Sequence, residues 1–170
     1  MKKLLAMSAL VLLAAPASAA GTSLRSLISG SGGQLTTSRG VFLVSKRTTD
    51  LTYLTLGIGY SETTGPGRAD GVTVYAQREY LKPSELALFN KTIRQVALKC
   101  FNLSEARLPA IDAWLTRQNT SPLRDVVIQF GPMTANYRRM ITDDGTYHTY
   151  VTMFRQGTPG VGPWGNYCTP

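Results

Sequence analysis

The segment PSELALFNKTIRQVALKC, residues 83–100, carries the strongest structural signal in the chain. Pro83 suits the first turn of a helix, where its missing N–H would lack a partner anyway, and Glu85 suits the positive end of the helix dipole. Apolar side chains then recur at helical spacing on one side. We therefore predict one long amphipathic helix that ends near Cys100. Its apolar stripe comprises Leu86, Phe89, Ile93, Val96, Ala97 and Cys100, and its polar side comprises Lys91, Arg94, Gln95 and Lys99.

A shorter helix is predicted to follow the long one. Ser104 and Glu105 are typical of a helix start, and the polar segment 119–122 is typical of a helix end. We expect both helices to pack on the same face of a sheet. The buried side of the shorter helix is predicted from three apolar residues at helical spacing: Ile111, Trp114 and Leu115.

Three predicted strands precede the helices: 41–44, 51–60 and 72–80. The second and third alternate between apolar and polar side chains, and this period of two indicates an antiparallel sheet that is covered on one face. Gly57 and Gly59 within the second strand indicate a bulge or the close approach of another part of the chain. The loop 61–71 is rich in Gly and contains Pro, so we expect it to be exposed and mobile.

Three predicted strands follow the helices: 125–130, 135–141 and 147–154. The segment TDDGT, 142–146, has the composition of a hairpin turn, which accounts for the adjacent Asp143 and Asp144 without a metal site. The predicted order is β-β-β-α-α-β-β-β. Strands on both sides of a helical pair favour an α+β fold, in which an antiparallel sheet carries one long amphipathic helix and a shorter helix on one face.

Residues 1–20 are typical of a secretory signal peptide, with a cationic start, an apolar run over 4–15 and a small-residue end. The apolar run is shorter than the span of about 20 residues that a bilayer requires, and no later segment is apolar for longer. We predict cleavage after Ala19 or Ala20. The mature protein is then expected to be secreted or periplasmic, and the short Lys-Lys start is typical of a bacterial signal.

Removal of the signal leaves enough chain for one domain with a hydrophobic core. The composition predicts that 21–40 is a flexible Gly/Ser-rich linker, that ordered structure begins near Val41, and that 41–170 is a single compact domain. Within the linker, three apolar residues are suited to dock as one helical turn: Leu24, Leu27 and Ile28.

Cys100 and Cys168 are the two cysteines of the chain. A lone pair of cysteines in an exported protein is most simply a disulfide. The bond is expected to fasten the Gly/Pro-rich tail, 157–168, to the end of the long helix. Two Cys and one His are too few for a dedicated zinc site, and no cofactor-binding motif is complete. We therefore predict no metal and no cofactor.

The chain has a positive net charge, with 18 Lys and Arg against 10 Asp and Glu. Two of the lysines lie in the predicted signal, so the mature chain keeps a net charge of +6. This excess favours a polyanionic partner such as an anionic envelope polymer, although it also lies in the range that merely keeps a domain soluble.

The leading functional prediction is a non-enzymatic binding domain of the bacterial envelope. Its ligand surface is predicted to be a sheet face that mixes aromatic and basic side chains, or the loop 61–71, because such a face can stack rings and hold phosphates. An envelope protein is an alternative partner, a cross-strand Tyr ladder is an alternative role for the tyrosines, and a purely structural envelope component remains a third class. The candidate ligand-binding residues are Tyr75, Gln77, Tyr137, Arg138 and Arg139.

The alternative functional prediction is a small secreted phosphodiesterase of the ribonuclease type. His148 is the single histidine, and it could act with Glu79 in proton transfer while Arg138 or Arg139 stabilises the phosphorane charge. The alternation of the last strand places His148 on one face with Tyr150, but the residue opposite it depends on a register that the turn does not fix. No catalytic set is favoured on the sequence alone, since a single strand histidine is more often an ordinary exposed residue.

Overall fold

The computed structural model of the protein describes residues 21–30, 33–38, 40–65 and 67–170. The predicted signal peptide lies outside these described residues. The helices are α1 (Leu24–Ser29), α2 (Pro83–Cys100) and α3 (Leu108–Thr120), and a 3-10 turn, Glu105–Arg107, leads into α3. The strands are β1 (Gly21–Ser23), β2 (Gln34–Ser38), β3 (Val41–Arg47), β4 (Tyr53–Ser61), β5 (Gly71–Ala76), β6 (Asp125–Phe130), β7 (Met133–Ile141), β8 (Tyr147–Arg155) and β9 (Tyr167–Thr169).

Seven strands form one antiparallel sheet in the order β2-β3-β4-β5-β8-β7-β6. Strands β2 to β5 run as a meander, and the chain then crosses through α2 and α3. It returns as the meander β6-β7-β8, in which β8 pairs with β5 at the centre of the sheet. This arrangement confirms the predicted α+β class, and the pairing of β5 with β8 joins the two halves of the fold.

Helix α2 is built as its sequence predicts. The Glu85 carboxylate accepts the Lys82 backbone N–H at 2.9 Å and the Arg78 side chain at 3.1 Å, which satisfies a donor at the helix start. The apolar stripe from Phe89 to Cys100 is buried in the core, while the basic residues on the opposite side are exposed. The stripe packs on the same side of the sheet as the inward residues of the central strands, among them Leu56, Val74, Val151 and Tyr137.

The prediction of a flexible linker over 21–40 is wrong for its described part, because β1, α1 and β2 all precede Val41. Leu24 and Ile28 are buried in the core, with exposed fractions of 0% and 2%. A six-residue helix has little stability of its own, so this burial accounts for α1. The prediction gave more weight to the Gly/Ser composition of the segment than to Leu24 and Ile28, whereas in the structure these apolar residues decide the conformation.

The Cys100–Cys168 disulfide joins the end of α2 to β9, with the two Cα atoms 4.7 Å apart. Strand β9 pairs in parallel with β1, so Gly21 lies opposite Tyr167. Trp164 is buried, and its indole N–H donates to the Cys100 carbonyl at 2.9 Å. The Gly/Pro-rich tail is thus fastened to α2 by a covalent bond and by a buried hydrogen bond.

The loop 61–71 is more closely tied to the fold than its composition suggests. Ala69 and Asp70 are buried, whereas the whole loop was expected to be exposed. The Asp70 carboxylate accepts hydrogen bonds from the backbone N–H groups of Thr63 and Thr64 and from the Ser61 hydroxyl. These bonds fold the loop around one carboxylate.

Lys46 is a cation on the core side of β3, only 4% exposed. Burial, with a smaller repulsion from Lys91, lowers the pKa of Lys46 from 10.5 to about 8. Because the unfolded chain then binds the proton more tightly than the folded chain, the free energy of unfolding rises as the pH increases above about 8. This gain in the free energy of unfolding is complete above the pKa of Lys46 in the unfolded chain. It is lost as the pH falls through the pKa of Lys46 in the folded chain.

We predict that the Lys46→Met variant lacks this alkaline rise, because methionine has no proton to release in this range of pH. Denaturant unfolding should be followed from neutral pH to just below about pH 10, where tyrosines begin to ionise. The matched control is Lys82→Met, which removes an exposed lysine and should keep the rise. An equal slope in both variants would show that Lys46 does not titrate in this range.

Candidate ligand-binding face of the sheet

All three helices lie on one face of the seven-stranded sheet, and the opposite face, here called the open face, is uncovered in the described part of the chain. Alternation along each strand decides which side chains reach it. The centre of the open face comprises Tyr75 of β5, His148, Tyr150, Thr152 and Phe154 of β8, and Asn136, Arg138 and Met140 of β7.

Three rings form a cluster on the open face, here called the aromatic cluster: Tyr75, His148 and Tyr150. Tyr75 lies directly opposite Tyr150, with ring centroids 5.4 Å apart. The Tyr75 and His148 rings are nearly parallel, at 8° and 5.5 Å. His148 Nδ1 is hydrogen bonded to the Tyr150 hydroxyl at 3.0 Å. His148 is therefore only 9% exposed, which corrects the expectation of an ordinary exposed strand histidine.

Gly57 makes room for the Tyr75 ring. The two residues are partners in the β4–β5 ladder, and a Cβ atom at position 57 would lie 1.9 Å from Tyr75 Cζ. The ring therefore lies across the backbone of β4 at a place where only glycine fits. Of the two roles predicted for the glycines of this strand, a bulge or a close approach, Gly57 has the second, and the approaching group is the Tyr75 side chain.

A shallow groove of about 370 Å³ lies beside the aromatic cluster. Arg138 stands opposite Tyr150 in the β7–β8 ladder, so its guanidinium and the Tyr150 ring border the same groove. Arg138 Nε is 3.7 Å from the Asp125 carboxylate, and both side chains are more than half exposed, so this ion pair is weak. The groove is lined by Asn136, Arg138, Met140, Tyr150, Thr152 and Phe154.

Arg139 and Tyr137 belong to the other face of the sheet. Arg139 is 3% exposed, and its guanidinium donates to the carbonyls of Gln118, Ser121 and Leu123 at the end of α3. It also donates to the Tyr137 hydroxyl at 3.0 Å. Both residues thus support α3 from the core side and do not reach the open face. Of the two arginines that the sequence left open, Arg138 is the one beside the groove.

The predicted catalytic set is not brought together. The Glu79 carboxylate is 3.0 Å from the Arg124 side chain, and Arg139 lies behind the sheet. Only His148 and Arg138 share the open face, and the Tyr150 hydroxyl already engages His148 Nδ1. Gln77 is exposed just beyond the end of β5. Among the described residues, no three His, Cys, Asp or Glu side chains are grouped to hold a metal ion.

Burial raises the pKa of Tyr75, and burial with Tyr75 and Asp144 nearby raises that of Tyr150. Both hydroxyls therefore stay neutral at physiological pH and act as hydrogen-bonding groups. Arg138 is the charged group of the groove. At the far end of the same face, Arg47 of β3 stands opposite Tyr53 of β4 and forms a second Arg–Tyr pair outside the groove.

Several residues of the groove were absent from the predicted ligand-binding set. The spacing along the last strand places Tyr150 on the His148 face, but no sequence motif marks it as a ligand-binding residue. Asn136 and Met140 could be assigned only once the β7–β8 register was known, because one step of register exchanges the faces. That register sets Met140 opposite His148 and Asn136 opposite Thr152.

Comparison of the chain with models of protein families, with curated proteins and with solved structures gave no match. Within the described residues, no helix combines the length and the apolar character that crossing a membrane requires. The interpretation of the open face therefore depends on its own geometry.

Proposed function

We propose that this protein is an exported, non-enzymatic binding domain of a bacterial envelope, and that its open face takes an anionic polymer whose units contain rings. The observation that carries the proposal is the juxtaposition of the aromatic cluster with Arg138 along one groove. Rings offer stacking surfaces and a guanidinium offers a fork of donors for phosphate or carboxylate. A repeating polymer that carries both kinds of group matches this pairing.

The antiparallel sheet supports the proposal because it holds these groups in fixed positions. Tyr75, Tyr150 and Arg138 are successive partners across β5, β8 and β7, so their spacing is set by the hydrogen-bonded ladders. Groups that are positioned before the ligand arrives lose less conformational entropy on binding. His148 orients Tyr150 through the bond to its hydroxyl, and we assign it this positioning role.

Two observations support export. Residues 1–20 have the layout of a secretory signal, and the Cys100–Cys168 disulfide is typical of proteins that fold in an oxidising compartment. Secretion or periplasmic residence, with cleavage after Ala19 or Ala20, is part of this proposal. Mass spectrometry of the protein from the culture medium and from the periplasm tests it directly.

The open face is tested with single-stranded RNA and DNA as probes, in gel shifts at about 50 and 200 mM salt. We expect Arg138→Gln to weaken binding about tenfold and to reduce the slope of log K against log salt by about 0.7, because one phosphate contact is lost. Tyr150→Leu should weaken binding by a similar factor through lost stacking, with no change in that slope. Arg47→Gln and Tyr53→Leu are the matched controls, and they should bind as the unmodified protein does.

The same samples are run on denaturing gels. Binding without cleavage, lost in the groove variants and kept in the controls, supports the proposal. Cleavage that disappears in His148→Ala would replace it with the phosphodiesterase hypothesis. Equal losses in the groove variants and the controls would reduce the effect to net charge and overturn the assignment of the site.

A further inference from the structure

Residues 82–120, which contain the two longer helices, carry six Lys and Arg against three Asp and Glu, and so hold half of the net charge of +6 of residues 21–170. Over residues 82–120, the exposed cations outnumber the solvent-facing acidic residues, which are Glu105 and Asp112. Glu85 is buried against Arg78 and does not offset them. The six exposed cations are Lys82, Lys91, Arg94, Lys99, Arg107 and Arg117. This group of exposed cations lies in the helical layer, on the side of the molecule opposite the open face.

The open face is much less charged. Its strands carry two exposed cations, Arg47 and Arg138, and the second of these faces Asp125 at 3.7 Å. The molecule is therefore polarised, with an aromatic and nearly neutral face on one side and a cationic face on the other. A polarised molecule of this kind can engage two different partners at once.

A groove of about 480 Å³ lies on the cationic side, along α2 and the start of α3. Its rim carries Lys91 and Arg94, and its apolar lining comes from Ala87, Leu98 and Leu108. Arg94 is 3.4 Å from Asp112, so part of its charge is offset. Lys91 and Lys99 form no ion pair with any other described residue, and both are exposed.

We infer that the helical layer binds the surface of a membrane that contains anionic phospholipids. Basic side chains attract such a surface at the level of the phosphates, and the apolar lining is suited to the glycerol backbone and the first methylenes beneath it. The lining of the groove contains no aromatic side chain, so it lacks the stacking platform that single-stranded nucleic acid prefers. The inference goes beyond the proposed function, because the open face then points away from the membrane.

The test is co-sedimentation of the purified protein with two kinds of vesicle: phosphatidylcholine alone, and phosphatidylcholine mixed with phosphatidylglycerol. We expect binding only to the second kind, with affinity that falls as salt is raised. The double variant Lys91→Gln/Lys99→Gln should bind about 25-fold more weakly, since each cation near an anionic surface contributes about fivefold. The matched control is Arg47→Gln/Arg138→Gln, which removes the same net charge from the open face and should bind as the unmodified protein does.

Circular dichroism and thermal unfolding first establish that both double variants are folded. Equal losses in the two variants would overturn the inference, because net charge alone would then explain the binding. So would unchanged binding by the Lys91→Gln/Lys99→Gln variant. If the unmodified protein ignores both vesicles while this variant loses RNA binding, the helical layer is a nucleic-acid surface and the lipid assignment is wrong.

The two proposals fail separately. The vesicle assay tests binding by the helical layer, and the gel shift with Arg138→Gln and Tyr150→Leu tests binding by the open face. Loss of one activity in its own variants, with the other intact, identifies which face has been assigned correctly.

Discussion

Replacing both Cys100 and Cys168 by alanine is expected to lower the free energy of unfolding by about 4 kcal/mol and the melting temperature by about 10 °C. The disulfide closes a loop of 68 positions, and its loss returns that loop-closure entropy to the unfolded chain. It also releases the tail that holds Trp164 against the Cys100 carbonyl. Calorimetry and denaturant titration measure the two quantities.

The control for this prediction is the unmodified protein under reducing conditions. Removal of either cysteine removes the whole disulfide. The variants Cys100→Ala and Cys168→Ala and the double variant should therefore all lose nearly the same free energy of unfolding. A reduced protein that unfolds at the same denaturant concentration as the oxidised one would contradict this account of the tail.

Replacing Arg139 by methionine is expected to lower the free energy of unfolding by about 4 kcal/mol, because three carbonyls around the end of α3 lose a charged donor in a buried place. The Arg139 side chain also lies 4.2 Å over the Tyr80 ring, so its cation–π contact is lost as well. Methionine fills much of the same volume and isolates the loss of hydrogen bonding. Denaturant unfolding at neutral pH measures the effect.

Arg138→Met is the matched control, one position away on the same strand. Arg138 is exposed and pairs weakly with Asp125, so the change is expected to stay within about 0.5 kcal/mol. The two variants have identical composition and net charge, and they differ only in which face of β7 is altered. Similar losses in both would mean that Arg139 does not support α3 as described.

This pair of arginines marks the limit of what the sequence could predict. The alternation of β7 requires Arg138 and Arg139 to point to opposite faces, and it leaves open which of them points inward. The choice depends on how β7 pairs with β8 and on where α3 ends, and these are long-range contacts. Helix α2 needed no such knowledge, because its caps and its apolar stripe lie within one segment, and it formed as predicted.

Local composition misled the prediction in two other places. The Gly/Ser content of 21–40 suggested a linker, but Leu24 and Ile28 gain enough burial to fix α1. The glycines of the loop 61–71 suggested exposure, but the Asp70 carboxylate accepts hydrogen bonds from three other residues of the loop and holds them close together. In both cases a few side chains with tertiary partners outweighed the average tendency of the segment.

The β1–β9 ladder has a consequence for the order in which the fold is completed. A chain is synthesised from its amino end, so Gly21 emerges long before its partner Tyr167 exists. The two sheet meanders can pair before β9 has been synthesised, but β1 cannot find its partner until then. Contacts between distant positions carry the largest loop-closure cost and form late. The pairing of β1 is therefore expected to follow that of the two meanders, because it requires residues that lie almost 150 positions further along the chain.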